Sequence, residues 1–238
     1  MDLRRFPARI SSRPRVLLIV ATSLLLLLGA ARPAAAESLR YAWSLRGFMG
    51  RLAGIFLPHQ GKGELRSRPN DGGRITELEI TSPDSARGEY FLYGGETRPD
   101  GTTALAWSSY RWRGETKSKR DKVDDGDVVD VASGIHLIRE RRPTQAMRMR
   151  IWSDGHVYPV LVERVGAEVR KVPAGTFNAT HYRVRGVRTG ERFWKGGLDL
   201  WLAEDEAATP VSIQVERGFA NVRLELLPGE AEPRAASR

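Results

Sequence analysis

The sequence predicts an all-β domain with one main helix: a strongly curved antiparallel sheet, or half-barrel, closed over that helix. Two observations lead to this fold class. Runs of alternating apolar and polar residues follow one another closely, as in an antiparallel sheet with one apolar face. A single segment shows the 3.6-residue period of a helix instead.

The most regular alternation lies between residues 172 and 227, where four runs share one design. In the clearest run, Leu198, Leu200 and Leu202 alternate with Asp199 and Trp201. Short connections join the last runs, so we expect neighbours in the sequence to pair as hairpins. The other three runs cover residues 181–185, 211–216 and 222–226.

Upstream strands are predicted from the same alternation and from turns rich in Gly, Pro and Asp. Residues 114–127 are highly charged without periodicity, which is typical of a solvated loop. Residues 47–58 have apolar side chains at helical spacing interrupted by glycines, so a short amphipathic helix and an irregular apolar lid both fit. The upstream strands are expected at residues 39–45, 64–68, 74–82, 89–93, 103–112, 147–152 and 157–163.

One helix is predicted over residues 128–142. Its apolar residues recur at helical spacing, Asp127 or Asp130 is available as the N-cap, and Pro143 ends it. Arginines in its last turns suit the negative end of the helix dipole. We expect the helix to pack in the concavity of the sheet through Val128, Val131, Ile135 and Ile138.

Residues 1–36 have the pattern of a cleaved signal peptide. Arginines precede an apolar segment, residues 16–30, which is shorter than the roughly 20 residues of a membrane-spanning helix. Alanines at 34–36 supply the small residues of a cleavage site, which favours a signal over a membrane anchor. We therefore expect a signal peptide at 1–36, a single β domain at 37–228, a flexible tail at 229–238, and export to the periplasm of a Gram-negative bacterium.

Composition limits the classes of partner. Removing residues 1–36 leaves 32 basic and 28 acidic residues, so the net charge falls from +9 to +4. A nucleic-acid partner, which the whole-chain charge suggests, therefore loses its support. The chain has no cysteine, so neither a disulfide nor a lipidated cysteine can form.

No local motif for catalysis or metal binding is present. The four histidines lack the paired spacing of zinc sites, and the acidic residues around Gly126 do not follow a calcium-binding loop. The serine elbow and the phosphate-binding glycine loops are also missing. We predict no enzyme activity, no cofactor and no metal. An envelope hydrolase is a remaining alternative, because a catalytic triad assembled across a fold leaves no local motif.

Aromatic residues supply the candidates for a ligand pocket. Trp152 and Trp201 stand on the polar face of their strands, which predicts that both faces of the sheet are partly covered. A curved sheet can enclose an apolar cavity for a lipid or acyl chain, and ordinary core packing is the alternative. The candidate pocket residues are Trp43, Trp152, Tyr182 and Trp201.

Arginines at alternate positions of two predicted strands could form a basic stripe for an anionic partner, such as lipid head groups. The alternative is a solvated face in which acids from neighbouring strands cross the stripe. The candidates are Arg148, Arg150, Arg183 and Arg185.

Five segments of the mature chain resemble the exported bacterial family known as domain of unknown function 3108 (DUF3108). The resemblance implies no activity and no catalytic residues, because the family has none established. It implies a half-barrel similar to that of the lipoprotein localisation carriers. The segments are WSSYRWR at 107–113, DVASGIHLIR at 130–139, IWSDGHVYPV at 151–160, VPAGTF at 172–177 and the stretch KGGLDLWLAEDEAATP that ends at Pro210.

These observations predict a non-catalytic periplasmic protein that is peripheral to the membrane at most. It would bind or handle an apolar or amphipathic component of the cell envelope: a lipid, an acyl chain or a lipoprotein. The alternative is a module that binds another envelope protein through exposed strand edges, without a small ligand.

Overall fold

The computed structural model describes residues 36–46, 60–82, 88–112, 114–188, 193–217 and 220–229. All of them belong to one compact unit, Ala34–Arg238. Within these residues there are thirteen strands and one helix, α1 (Val131–Arg141). The strands are β1 (Glu37–Arg46), β2 (Gln60–Asn70), β3 (Gly73–Thr81), β4 (Tyr90–Thr97), β5 (Thr103–Trp112), β6 (Glu115–Lys122), β7 (Val128–Asp130), β8 (Met147–Ser153), β9 (His156–Val172), β10 (Gly175–Gly186), β11 (Gly197–Ala203), β12 (Pro210–Arg217) and β13 (Ala220–Leu226).

The strands form a single sheet in the order β6-β5-β4-β3-β2-β1-β13-β12-β11-β10-β9-β8-β7. Consecutive strands are neighbours in the sheet except β6 and β7, which lie at its opposite edges, and the pairing of β1 with β13 joins the two halves of the chain. Every pair is antiparallel apart from β7 with β8. The sheet is curved and unclosed, with β6 and β7 at its edges. The predicted fold class is therefore confirmed.

One face of the sheet, called the inner face here, carries the main hydrophobic core. Its register places Tyr41 opposite Leu226, and Leu200 opposite Ile213. Buried residues of α1, including Ile135, belong to the same cluster. Complete burial of one such side chain contributes about 1.5–3 kcal/mol, so the helix is held mainly by its apolar side. The helix packs against the inner face, as predicted.

Asp130 marks the start of the helix. Its Oδ1 accepts hydrogen bonds from the backbone N–H groups of Ala132 and Ser133 at 2.9 and 3.0 Å, and its Oδ2 accepts one from Thr103 Oγ1 at 3.2 Å. Of the two N-caps considered, Asp130 is the one observed. The helix ends at Arg142, whose left-handed conformation (φ 41°) forms the C-cap.

Three sequence predictions need correction. Residues 128–130 form strand β7 rather than the first turn of the helix, because the cap lies at Asp130 and both preceding valines pair with β8. Residues 115–122 form strand β6, not a solvated loop. Seven of its eight residues are exposed, so no apolar alternation marks it. Strand β9 continues well beyond residue 163, to Val172. Residues 47–58, the expected signal peptide apart from Ala36, and most of the expected tail lie outside the described residues.

The two edges of the sheet overlap. Trp152 on the outer face of β8 is buried together with Ala106 on the inner face of β5, and its Nε1 donates a hydrogen bond to Asp121 of β6 at 2.9 Å. Gly95 on the inner face of β4 lies against Asp130, where an added Cβ would come within 2.0 Å of Oδ2. Side-chain packing therefore joins the two edges without hydrogen-bonded strand pairing.

The distal part of the β9–β10 hairpin, residues 166–180, folds over the outer face; it is called the arm here. A bulge between His181 and Tyr182 begins it. The backbone N–H of Ala174 reaches the carbonyl of Leu226 at 2.9 Å, and the guanidinium of Arg170 reaches Ser212 Oγ at 3.4 Å. The predicted partial covering of both faces is therefore confirmed.

Candidate functional site

The four aromatic residues predicted to line a ligand pocket do not share one cavity. Trp43 and Tyr182 lie on the inner face in the main core. Trp152 lies under the overlap of the sheet edges, and Trp201 lies under the arm on the outer face. All four are between 3% and 8% exposed. Their burial is accounted for by packing against the protein itself.

Trp43 shows how this packing is encoded. Its indole N–H donates to the carbonyl of Thr81 at 2.8 Å, and its ring covers Gly61. An added Cβ at Gly61 would lie 2.4 Å from Nε1, so glycine is required for the ring to lie there. Trp43 therefore joins β1 to the end of β3.

Trp201 is enclosed by polar side chains. The ring of His181 stacks on it with centroids 4.4 Å apart, and the guanidinium of Arg170 lies 4.1 Å from the ring centroid on the arm. Its Nε1 donates to the carboxylate of Glu168. Stacking and cation–π contacts of this kind stabilise an aromatic ring on a polar face.

The predicted basic residues Arg183 and Arg185 converge on Asp199. They lie 3.2 and 3.3 Å from its carboxylate, and His181 Nε2 lies 2.8 Å from it. Burial raises the pKa of Asp199, but the hydrogen bond to His181 and the two guanidinium groups outweigh it and lower that pKa to about 2. The charge of Asp199 is therefore kept, and it offsets that of the arginines.

Arg150 is paired as well. It contacts Asp127 at 2.8 Å and Asp125 at 3.1 Å, while Arg148 is exposed. The four arginines thus do not form a free basic stripe, because acids from neighbouring segments neutralise three of them.

A polar pocket of about 230 Å³ opens on the inner face at one end of the half-barrel. It is called the helix pocket here. One wall is α1, another is the start of β3, and the turns β2–β3 and β4–β5 close the sides. The residues that carry the chemistry are Arg74, Thr76, Asp100, Ser133, His136 and Glu140.

Three buried polar atoms of the helix pocket have no hydrogen-bond partner among the described residues: Thr76 Oγ1, Ser133 Oγ and His136 Nε2. Thr76 and Ser133 are 1% and 4% exposed. His136 Nε2 is 3.1 Å from Glu140 but forms no hydrogen bond with it. Each such atom costs about 1–3 kcal/mol if left unpaired, so three around one pocket indicate a partner from outside the chain.

Positive charge lies beside these atoms. Arg74 Nη1 donates to Ser67 Oγ at 2.8 Å, and no described carboxylate lies within ion-pair distance of this guanidinium. Burial, followed by the charge of Arg74, lowers the pKa of His136 to about 4, so its imidazole is neutral at pH 7. Hydrogen bonds from Thr102 lower the pKa of Asp100 at the rim, which stays ionised.

The sequence builds this pocket with a glycine turn. Gly72 has a positive φ of 83°, which suits the tight β2–β3 turn. At Gly73 an added Cβ would lie 1.8 Å from the carbonyl oxygen of Thr97, so only glycine lets the turn lie this close to the end of β4. This approach sets Arg74 and Thr76 opposite the helix.

Sequence reasoning missed the helix pocket. In the sequence, His136 stands out only as one of four histidines that lack the spacing of zinc sites, and Arg74 and Thr76 are not singled out. The available signal was the phase of the pattern: Thr76 takes an inner-face position in line with Leu78. A polar residue at a position where the alternation of the strand places apolar side chains is the signal that could have identified the helix pocket.

Among the described residues, no group of three or more His, Asp or Glu side chains is placed to hold a metal ion. In the same part of the chain, no helix is long and apolar enough to cross a membrane.

Comparison with solved structures supports the fold through one neighbour. A beta-barrel-like protein of domain of unknown function DUF1849 from Brucella abortus superposes with a TM-score of 0.54 at 8% identity, over 82% of this chain and 96% of that one. The lipoprotein LppX of Mycobacterium tuberculosis reaches a TM-score of only 0.29 at 13% identity, over 90% and 94% of the two chains, which is too low to carry an argument.

By sequence, the chain is 28% identical over 173 residues to Tricorn protease homolog 1 of Streptomyces coelicolor. The match covers 70% of this chain but 16% of that protein, so the chain spans about a sixth of its length. The model of the family described as "Protein of unknown function (DUF3108)" matches residues 88–227, more than half of the chain. The chain therefore belongs to the DUF3108 family, as its residues predicted.

Proposed function

We propose that this protein is a non-catalytic binding protein of the cell envelope, exported to the periplasm after cleavage of residues 1–36. Its ligand is one amphipathic envelope component, such as a lipid, an acyl chain or the lipid part of a lipoprotein. The helix pocket holds the polar end of that ligand. The observation that carries the proposal is the set of three unpartnered buried polar atoms around the helix pocket.

The size of the helix pocket indicates that it encloses only one end of the ligand. At about 230 Å³ it is smaller than the roughly 300–1,000 Å³ of sites that enclose a whole small molecule. It suits a polar end, with Leu137 and Pro99 as the apolar part of the wall. The remainder of the ligand extends out of the open end of the half-barrel.

Binding fits the local geometry better than hydrolysis does. Ser133 and His136 both line the helix pocket, which at first suggests a nucleophile and its base. Ser133 Oγ makes no hydrogen bond to the imidazole, however, whereas an activated serine is bonded to its base. The two side chains are placed as separate polar contacts for a ligand.

A second candidate function rests on strand β6. It is an edge strand of eight residues, of which seven are exposed, and it is rich in lysine. An exposed edge can accept an extended segment of another protein, but lysines along an edge disfavour pairing in general. A partner at this edge would have to be acidic, which makes this the weaker of the two proposals.

The leading proposal is tested by purifying the protein from the periplasm without detergent, followed by native mass spectrometry and lipid analysis of an organic extract. We expect a stoichiometric lipid or acyl species on the native protein. Ser133→Leu, which fills the helix pocket, should lose it, and the matched control Ser118→Leu on the exposed face of β6 should keep it. A ligand-free mass with no uptake on incubation, or full retention in Ser133→Leu, would contradict the proposal.

A further inference from the structure

We infer that the ligand group inside the helix pocket is an anionic oxygen group, a carboxylate or a phosphate, bound by Arg74 with Thr76 and Ser133 as hydrogen-bond donors. This inference rests on the proposed function and narrows it to one class of ligand. It follows from the charges and donors that face the pocket.

Arg74 differs from the arginines of the outer face. Arg150, Arg183 and Arg185 each contact a carboxylate. The guanidinium of Arg74 offers five N–H donors, and the described residues accept one, through Ser67 Oγ at 2.8 Å. A planar group with free donors matches the geometry of a carboxylate or phosphate, which accept hydrogen bonds in pairs.

The buried hydroxyls complete the match. Thr76 Oγ1 has an O–H to donate and no acceptor among the described residues, and Ser133 Oγ lies beside the Asp130 carboxylate without a hydrogen bond of normal geometry to it. An anionic oxygen group only accepts hydrogen bonds, so it uses both donors. A cation would use the hydroxyl lone pairs, but it would also face the charge of Arg74. His136 adds no charge at pH 7 and can donate from Nε2.

The two acids that line the helix pocket lie on its solvent side, whereas the buried carboxylate of Asp130, behind Ser133, is already bound by Thr103 and by the N–H groups of Ala132 and Ser133. Asp100 is exposed, and its Oδ1 is already bound by the N–H and hydroxyl of Thr102 at 2.9 and 2.6 Å. The side chain of Glu140 is 54% exposed. The buried end therefore carries Arg74 and the hydroxyls, while water screens the two carboxylates at the rim. A ligand would enter with its anionic group first.

The test compares the affinities of five probes by isothermal titration calorimetry on protein purified from the periplasm. Octanoate and octyl phosphate carry the anion on an alkyl chain, octanamide is the neutral match to octanoate, and acetate and inorganic phosphate have no chain. We expect octanoate or octyl phosphate to bind at least tenfold more tightly than octanamide. Arg74→Met should abolish that preference, Thr76→Val should reduce it severalfold, and the exposed control Arg148→Met should leave it unchanged.

The outcomes separate this inference from the proposed function. Equal binding of octanoate and octanamide would overturn the anionic class and leave an amphipathic ligand in place. Acetate or phosphate binding as tightly as the octyl probes would support the anionic class and contradict an amphipathic ligand. Failure of all five probes would overturn the inference and indicate that the helix pocket holds water. If Arg74→Met does not fold, Thr76→Val decides the matter, because it removes one donor at nearly constant volume.

Discussion

Replacing Arg139 with methionine should lower the free energy of unfolding by about 4 kcal/mol. The guanidinium is 6% exposed and connects α1 to two other elements. It donates to both carboxylate oxygens of Glu37 at 2.7 and 2.9 Å, and to the carbonyls of Ala207 and Ala208 at 3.2 and 3.3 Å. Methionine preserves much of the length but leaves all these acceptors without a donor.

The magnitude follows from these four hydrogen bonds. The two to Glu37 are charge-assisted, worth about 1.5–3 kcal/mol each, and the two to carbonyls are worth about 0.5–1.5 kcal/mol each. The Glu37 side chain is 30% exposed and regains some hydration, so the lower end of the sum applies. For a domain of this size, 4 kcal/mol corresponds to a fall in Tm of roughly 8–16 °C.

Urea unfolding, followed by tryptophan fluorescence and circular dichroism, measures this loss. A double-mutant cycle with Glu37→Gln isolates the pair, and we expect a coupling of at least about 1.5 kcal/mol, because each single variant leaves the other charge partly buried and unpaired. A loss below about 1 kcal/mol for Arg139→Met, or additive effects in the cycle, would refute the reasoning.

Three further predictions concern packing and pH. Gly95→Ala should lower the free energy of unfolding in urea by about 1–3 kcal/mol, because its Cβ would lie 2.0 Å from Asp130 Oδ2. The control Gly166→Ala, whose Cβ would have nothing within 4 Å, should change that free energy by less than about 0.5 kcal/mol. Equal effects of the two substitutions would contradict the edge overlap. Asp130→Ala should cost at least about 1–2 kcal/mol by removing the N-cap, and an unchanged Tm would argue against it. The pKa of His136 is about 4 in the folded protein and about 6.5 in the unfolded chain. Its contribution to stability is therefore complete above pH 6.5 and falls by up to about 3 kcal/mol as the pH drops towards 4. His136→Asn should be less sensitive over that range, and an unchanged slope would contradict the pKa shift.

Sequence periodicity was sufficient for most of the sheet because most strands have one buried face. Leu198, Leu200 and Leu202 indicated a strand because their apolar side chains share the inner face, although every residue of β11 is buried. Strand β6 was not predicted because it is an exposed edge, where charged residues occur on both sides. Strand β7 was not predicted because three residues are too few to show a period, and Val128 also fits the helical spacing of α1.

The alternation of side chains along each strand placed Trp152 and Trp201 correctly on the outer face, but it could not show what covers them. The overlap of the sheet edges and the folding of the arm bring together segments far apart in the sequence, such as Trp152 with Asp121. The helix pocket was hidden for the same reason. Arg74 and His136 belong to different elements and meet only when α1 lies on the inner face.

The most direct test of ligand binding in the helix pocket is an NMR titration of histidine-labelled protein with octanoate. His136 lines the pocket, while His181 stacks on Trp201 at the outer face and His156 begins β9, so the latter two are internal controls. We expect the imidazole resonances of His136 to shift saturably, with those of His181 and His156 unchanged. A stationary His136 at millimolar octanoate, or a shift confined to His181, would contradict the assignment of the helix pocket as the binding site.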